Sequence, residues 1–400
     1  MNETPTYDAV FDRVCREIAD QEAHIEEDQE AAPFLVAELI ALEVPERRFL
    51  LVTNSSRFHN PFLCEALIEQ ARESAFQDTR RSFEMARLAV AVAERLREAS
   101  CRSPEIRDGL RARAIAQLAN ALRLEGRHTE AEEAFLPVED LLRQEGRLGL
   151  LDTARLLDLR ASLHRDRRQF DPAGLLLDQV IAIYQGLGQW NLLGRALMQR
   201  SAILGETGQL DAEIRMLRRA LDLIDPQEEP RSFLVARYNL IVSLNQAGRS
   251  REAFALLFHT RPLFLKLGDR LSLLRLRWLE GLVASGLGRL EQAAVAFREV
   301  RDAYLDLSLE YDAAMVALDL IAVCLRRGRI REIRGILQEI LDVFCARDIH
   351  REAEKALSYL QGAVCLDEAG LTLVEEVAAF LKEARTNPDL RFTPRVAPPS

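Results

Sequence analysis

Four glycines spaced 40 residues apart limit how this chain can fold more than any other feature of its sequence. Each stands in a similar sequence context. Counting back 40 residues from the first of them reaches Arg168, and a further 42 residues reaches Gly126. The four are Gly208, Gly248, Gly288 and Gly328. A fixed period of this length is typical of proteins that stack one structural unit on the next. A chain of 400 residues with this pattern therefore need not divide into domains of ordinary size.

Each period predicts two helices. Five residues after most of these turns stands an alanine, and four residues further comes a large apolar side chain. The alanines are Ala131, Ala173, Ala253 and Ala293, with Glu213 and Ile333 in the same place in two other periods; the apolar residues are Phe135, Leu177, Leu217, Leu257, Phe297 and Leu337. Glycine ends the first helix because it accepts a left-handed backbone. A small residue lets the second helix approach closely, and the apolar residue one turn on fills the groove between them. A second turn recurs about 20 residues later, for example at Gly268, as two helices per period require.

Composition and charge exclude several classes of protein. Hydrophobic residues make up 48% of the chain and aromatic residues only 6%, while strong helix formers dominate, so an all-β fold is not expected. The net charge of −10 disfavours a basic face that binds nucleic acid. The sequence has no apolar run of membrane-spanning length and no apolar signal core at its start, so we expect a cytoplasmic protein that does not bind membranes. The six cysteines lack metal-ligand spacing, and no cofactor or metal is expected.

The pattern of glycine, alanine and apolar residue resembles the helix-turn-helix of tetratricopeptide repeats (TPR). The segment from Tyr184 to Gln189 also resembles the linker of longer repeats in bacterial peptide sensors. The period exceeds the usual length of about 34 residues, and most of the aromatic and glycine signature of the first helix is absent, so the repeats are atypical. The resemblance implies an all-α fold, an α-solenoid of about seven repeats in a right-handed superhelix. We place the repeats at 62–102, 105–146, 150–188, 190–228, 231–268, 270–308 and 311–348.

The flanking segments lie outside the repeat phase. Residues 1–61 are predicted to form an N-terminal helical cap of two helices, split before Pro33 and ended near Pro45. The array covers 62–348, and capping helices around Gly370 follow over 349–385. The last segment, 386–400, contains four prolines and is predicted to be disordered.

No catalytic motif is present. The sequence lacks a phosphate-binding loop, a zinc-protease helix and a nucleophile elbow. His128 lies beside Glu130, Glu132 and Glu133, in a turn that is either a solvated surface or a metal site. The acidic run over 20–30 is either a solvated helix face or a patch for a basic partner. We therefore predict that the chain is not an enzyme, an unrecognised site being the remaining alternative.

The first helix of each repeat, here called helix A, carries the candidate binding residues, because in TPR arrays this helix lines the concave groove. Thirteen residues before the turn, four of six repeats have an arginine, and aromatic or amide side chains share the same face. The candidates are Arg113, Arg155, Arg195, Tyr238, Asn239, Asn245, Arg275 and Trp278. Arginine binds carboxylates bidentately, and tryptophan and tyrosine are frequent anchors at interfaces. Alternatively, these arginines form ion pairs within the array and Trp278 belongs to the core.

Two functions fit this pattern. The first is a scaffold or adaptor whose groove holds a protein or peptide, and its arginines suit a partner that is acidic or has a free C-terminus. The second is a signalling regulator controlled by a peptide or ligand, because the layout resembles that of Rap-type bacterial regulators.

Overall fold

The structure is a computed structural model of the chain. It describes residues 7–75, 78–97, 100–101, 103–144, 148–346, 353, 356–358, 360–361, 364, 370–384 and 390–393. The chain divides into two compact units, Met1–Leu187 and Gly188–Ser400. The boundary falls between the third and the fourth predicted repeat, and each unit is described by itself.

The described part of the first unit begins with a long helix and a short one and continues with three helix pairs. Its helices are α1 (Tyr7–Ala41), α2 (Pro45–Asn54), α3 (Pro61–Ser74), α4 (Thr79–Ala93), α5 (Pro104–Leu124), α6 (His128–Leu142), α7 (Leu150–Asp166) and α8 (Phe170–Gly186), with a single 3₁₀ turn at Ser56–Phe58. The pairs α3–α4, α5–α6 and α7–α8 coincide with the first three predicted repeats. The first helices of these pairs also pack on one another, α3 on α5 and α5 on α7.

The predicted break before Pro33 is wrong, because α1 continues through this proline. An internal proline removes one helical hydrogen bond and costs roughly 3 kcal/mol. Here Ala32, Leu35, Val36 and Leu39 around it are all buried. Burial of several apolar side chains at roughly 1.5–3 kcal/mol each outweighs that cost.

Among the described residues of the second unit, the helices with defined bounds are four further pairs and one later helix. Its helices are α9 (Trp190–Glu206), α10 (Leu210–Leu223), α11 (Pro230–Gln246), α12 (Ser250–Leu267), α13 (Arg270–Gly286), α14 (Leu290–Asp306), α15 (Glu310–Arg326), α16 (Ile330–Ala346) and α17 (Leu371–Ala384). The four pairs from α9–α10 to α15–α16 coincide with the last four predicted repeats, and α17 packs on α15. Neither unit contains a β-strand within its described residues.

The turns inside the repeats have the predicted left-handed backbone. Gly208, for example, has a φ of 77°, and the next residue, Gln209, donates its backbone N–H to the carbonyl of Leu204 at 2.8 Å. Such a bond closes the end of a helix. Arg168 has a φ of 58° and Ser308 a φ of 56°, so both non-glycine residues keep the turn conformation of the repeat. The predicted turn at Arg347 and Asp348 lies outside the described residues.

Within each unit the core lies between the helices of each pair and between consecutive pairs. The four alanines that follow the turns are all fully buried, as are Phe135 and Phe297 one helical turn later. Gly281 permits an especially close approach, because a β-carbon at this position would lie 2.6 Å from the ring of Phe297. Alanine and glycine therefore set the helix spacing, and the larger residues fill the space between helices.

The part of the chain after α17 is only partly described. Phe392 is buried and contacts Phe380 of α17 edge-to-face, with ring centroids 5.1 Å apart. Residues 390–393 are thus part of a packed contact, although disorder was predicted for 386–400. The remainder of that segment and most of the residues between α16 and α17 lie outside the described residues. Among the helices that the structure describes, none has both the length and the apolar character needed to cross a membrane.

Candidate functional site

The candidate residues fall into two groups, one in each unit. Arg113 and Arg155 lie on α5 and α7 of the first unit, whereas the other six lie on α9, α11 and α13 of the second. In both units consecutive A helices contact one another and form a layer, here called the helix-A face.

The two arginines of the first unit are used in ion pairs. Nε of Arg113 lies 3.4 Å from Oδ1 of Asp152, and its Nη1 lies 3.1 Å from Oε1 of Glu65. Arg155 contacts the same Asp152 at 3.6 Å. These pairs link α3, α5 and α7, so the alternative interpretation, ion pairs within the array, holds for this unit.

Asn245 also has a structural role. Its Nδ2 donates to the carbonyl of Leu282 at 3.1 Å, and its Oδ1 accepts from the hydroxyl of Ser250 at 2.8 Å. Gly286 leaves space for this arrangement, since a β-carbon there would lie 2.2 Å from the Asn245 oxygen. The side chain thus connects the end of α11 to α12 and α13. Arg195 has a looser contact, 3.9 Å from Glu229, and is 41% exposed.

Trp278 and Asp319 join two neighbouring A helices of the second unit. Nε1 of Trp278 on α13 donates to Oδ2 of Asp319 on α15 at 2.7 Å. The indole also stands edge-on to Tyr304, with ring centroids 6.4 Å apart. Trp278 is only partly buried and packs against the core. It is therefore both a core residue and part of the helix-A face.

Tyr238 and Arg275 complete this group. Burial raises the pKa of Tyr238 to about 12, with Tyr304 adding to the shift, Arg275 opposing it, and Asp319 and Asp312 adding to it. These charged and phenolic groups are therefore close enough to influence one another. Arg275 is exposed, and no described carboxylate lies within 4 Å of its guanidinium. Tyr238, Arg275, Trp278 and Asp319 are here called the aromatic cluster.

Burial raises the pKa of Asp319 to about 6, although the hydrogen bond from Trp278 opposes the shift. Burial penalises the charged form of a carboxyl group, and the indole N–H compensates only part of this cost. Sequence reasoning missed Asp319, yet it stands nine residues before the turn at Gly328, as Asn239 stands nine before Gly248. The repeat register therefore places Asp319 on the same face as the candidate residues, but it does not indicate that Trp278 of the preceding repeat donates to it.

The chemistry of the aromatic cluster is suited to binding. It combines an exposed guanidinium, a partly buried carboxyl group and two aromatic rings on adjacent helices. Within the described ranges, no three His, Cys, Asp or Glu side chains are grouped to hold a metal ion. Asn239 lies on α11 beside Tyr238 and is half-buried, and its carbonyl accepts from Ser243.

Comparisons with known proteins define the class of fold. No family model matches the chain, and no curated protein does. Among solved structures, aspartyl phosphate phosphatase F from Bacillus subtilis is 13% identical, with 86% of this chain and 96% of that chain covered and a TM-score of 0.52. A Rap protein in complex with Competence and Sporulation Factor is 14% identical, with 81% and 88% covered and a TM-score of 0.51. The chain is thus an all-α protein of TPR-like helical repeats.

A third structure has the same fold. NprR in complex with its cognate peptide NprX is 11% identical, and the alignment covers 74% of this chain and 83% of NprR with a TM-score of 0.51. At these identities the similarity concerns the arrangement of helices and not individual side chains.

Proposed function

We propose that the helix-A face of the second unit binds a peptide or an extended protein segment, and that the chain acts as a scaffold or regulator. The aromatic cluster carries this proposal. Aromatic residues and arginine are the side chains most enriched at binding hot spots, and here they lie together on adjacent helices. Two of the structures with the same fold are complexes, one with Competence and Sporulation Factor and one with a cognate peptide, which supports a peptide ligand.

The charges of the cluster define the chemistry of the ligand. Arg275 offers a fork of N–H donors without a carboxylate partner in the described structure, which fits an acidic side chain or a C-terminal carboxylate. Asp319 on the neighbouring helix α15 provides an acceptor, which fits a backbone N–H or an amine of the same ligand. A peptide with a carboxylate at or near its C-terminus satisfies both. Binding requires no catalytic step from these groups, so we propose a binding protein and not an enzyme. We further propose that it acts in the bacterial cytoplasm.

A regulator controlled by its ligand is the second candidate, and the position of α17 favours it. This helix packs on α15, yet Nζ of Lys382 near its end lies 2.5 Å from Oε1 of Glu206 at the end of α9. The same helix thus contacts the first and the last A helix of the second unit. A ligand that changes the spacing of α11 and α13 would change this contact, which couples binding to the position of α17.

Affinity selection tests the proposal. The full-length protein is incubated with a synthetic pool of random peptides and separated by size exclusion, and retained peptides are identified by mass spectrometry. We expect retained peptides to be rich in carboxylates near the C-terminus. A charge-assisted bond is worth about 1.5–3 kcal/mol, so Arg275→Glu is expected to weaken binding of a retained peptide at least tenfold.

Arg270→Glu is the matched control. Arg270 lies on the same helix as Arg275 and is also exposed. Its substitution by glutamate changes the charge by the same amount, but ideal helix geometry places it about 140° around α13 from Arg275. It is expected to leave affinity within twofold. The proposal fails if the wild type retains no peptide, or if both variants bind as the wild type does.

A further inference from the structure

A cavity of about 260 Å³ lies between α2 and α4 in the first unit, away from the helix-A candidate residues. Its apolar wall includes Phe49, Leu50 and Leu88. Its polar wall is formed by Glu46, Arg48, Glu84 and Arg87. A second cavity of about 230 Å³ shares Arg48 and Glu84 as lining residues and extends toward the start of α4. The two cavities are therefore adjacent, and together they are here called the α2–α4 groove.

Arg48 and Glu84 line both cavities and form an ion pair with each other. Nε of Arg48 donates to the carbonyl of Leu42 at 2.8 Å, and its Nη1 donates to Oε2 of Glu84 at 3.2 Å. Arg80 adds a weaker contact to Glu84 at 3.8 Å. The carboxylate of Glu84 is thus already shared by two arginines and is not available to balance a third.

Arg87 is the third arginine, and it is held in place without a carboxylate. Its guanidinium lies 5.4 Å from the ring centroid of Phe49 and 5.8 Å from that of Phe83. The side chain is exposed, and among the described residues no ion pair to it is found. Stacking on aromatic rings orients a guanidinium while its in-plane N–H groups stay free to bind an anion.

The apolar wall is open to solvent beside this arginine. Leu50 is 57% exposed, although it lines the cavity together with the buried Leu88. Sites for small molecules usually occupy roughly 300–1,000 Å³, so each of the two cavities is smaller than a typical cofactor site. A space of this size suits single side chains of a longer segment, one in each cavity.

We propose that the α2–α4 groove binds an acidic segment of a partner protein, with an apolar side chain against Leu50 and an adjacent carboxylate on Arg87. Charge complementarity selects this occupant. The whole chain has a net charge of −10, yet four arginines line this groove against three carboxylates, Glu46, Asp78 and Glu84. Glu84 is shared by Arg48 and Arg80, and Asp78 caps the N-terminus of α4 by accepting from the backbone of Arg81, so Arg87 keeps its charge open to a ligand. A basic or purely apolar segment leaves Arg87 without a partner.

Selection from a displayed library tests the proposal and requires no identified partner. Random 12-residue peptides are selected on the immobilised full-length protein, and the pools are counter-selected on Arg87→Glu. We expect enriched peptides in which Asp or Glu stands next to Leu, Ile or Phe. An enriched peptide, once synthesised, should bind the wild type and Arg111→Glu with affinities within twofold of each other, because Arg111 is exposed on α5 and lines neither cavity.

The same peptide should bind Arg87→Glu and Leu50→Asp at least tenfold more weakly, and Arg87→Lys several-fold more weakly, because lysine keeps the charge but not the bidentate geometry. Circular dichroism confirms that each variant is folded, and Arg87→Lys keeps the test valid if Arg87→Glu unfolds. The proposal is overturned if winners lack acidic residues or bind Arg87→Glu and Arg87→Lys as tightly as wild type. Sedimentation that shows self-association lost in Arg87→Glu would instead identify a second copy of the chain as the occupant, which also overturns it.

Discussion

Gly205 faces Glu213 across the α9–α10 pair, at a distance that leaves no room for a side chain at position 205. A β-carbon on Gly205 would lie 2.8 Å from Oε2 of Glu213. Glu213 occupies the place where most repeats have a buried alanine, and it is itself only 9% exposed. Burial raises the pKa of its carboxyl group, and a hydrogen bond with Ser243 and the nearby Lys382 oppose this shift. The glycine thus compensates for a larger residue in the neighbouring helix.

This relationship predicts coupled effects on stability. In the wild type, Gly205→Ala is expected to lower the free energy of unfolding by about 1–3 kcal/mol through overpacking. In a Glu213→Ala background the same change should cost much less, so the interaction energy of the cycle should lie at about 0.5–3 kcal/mol. Urea denaturation of the four proteins, followed by circular dichroism, measures it. Additive effects would show that the two residues do not compete for space.

Asp319 predicts a dependence of stability on pH. Its pKa is about 6 in the folded protein against 3.8 for the ordinary group, so the folded state binds the proton more tightly. The contribution of Asp319 to stability is therefore full below about pH 4 and is lost as the pH rises to about 6. The Asp319→Asn variant should not show this loss and should be at least as stable as wild type at pH 7, because the amide oxygen still accepts from Trp278. Thermal unfolding from pH 4 to pH 7, compared between the two proteins, tests this. A variant that loses stability in parallel with wild type would assign the titration to another group.

The turns predict opposite effects of the same substitution at two glycines close together in sequence. Gly328 has a φ of 66°, whereas Gly335 lies within α16 with open space around its missing β-carbon. Gly328→Ala should lower stability by about 1–2 kcal/mol, since alanine is strained in the left-handed region. Gly335→Ala should raise stability by up to about 1 kcal/mol, because alanine favours a helix. Ser308→Gly should raise stability, because Ser308 is a non-glycine residue in the left-handed region and glycine adopts that conformation without strain. Denaturation midpoints of the three variants decide whether backbone conformation governs these positions.

The ion pair between Lys382 and Glu206 predicts a local effect and not a global one. Both side chains are accessible to solvent, so Lys382→Glu should change the free energy of unfolding by less than about 1 kcal/mol. It should nevertheless increase amide hydrogen exchange in α17, because like charges would then face each other. The charge swap Lys382→Glu with Glu206→Lys should restore protection. Unchanged exchange in the single variant would mean that apolar packing on α15 alone positions the helix.

The helices could be predicted from the sequence because their determinants are local. The left-handed turn at Gly248 and the buried Ala253 five residues later recur with one register, and this register places Arg168 correctly although it is not a glycine. The prediction failed at Pro33, where packing of α1 outweighs a local helix-breaking signal. In the repeats local and tertiary preferences agree, and at Pro33 they do not.

The candidate site could be predicted only in part. The helix-A register led to Trp278, Tyr238 and Arg275, which lie on the neighbouring helices α11 and α13. It did not indicate that Asp152 from another helix neutralises Arg113, or that Trp278 donates to Asp319, which lies 41 residues away. Ion pairs and hydrogen bonds between repeats depend on how side chains from separate helices meet, and a single repeat does not record this.

The amino-acid sequence by itself determined the period, the pairing of helices and the turns between them, because backbone preference and helical periodicity act over a few residues. Only the tertiary structure decided which charged groups are neutralised and which remain open, such as Arg275 on α13 and Arg87 beside Phe49. It also decided that Lys382 meets Glu206, 176 residues away. Which charges are neutralised depends on distances and burial in the folded chain, because an opposite charge within a few ångströms lowers the free energy of a charged side chain.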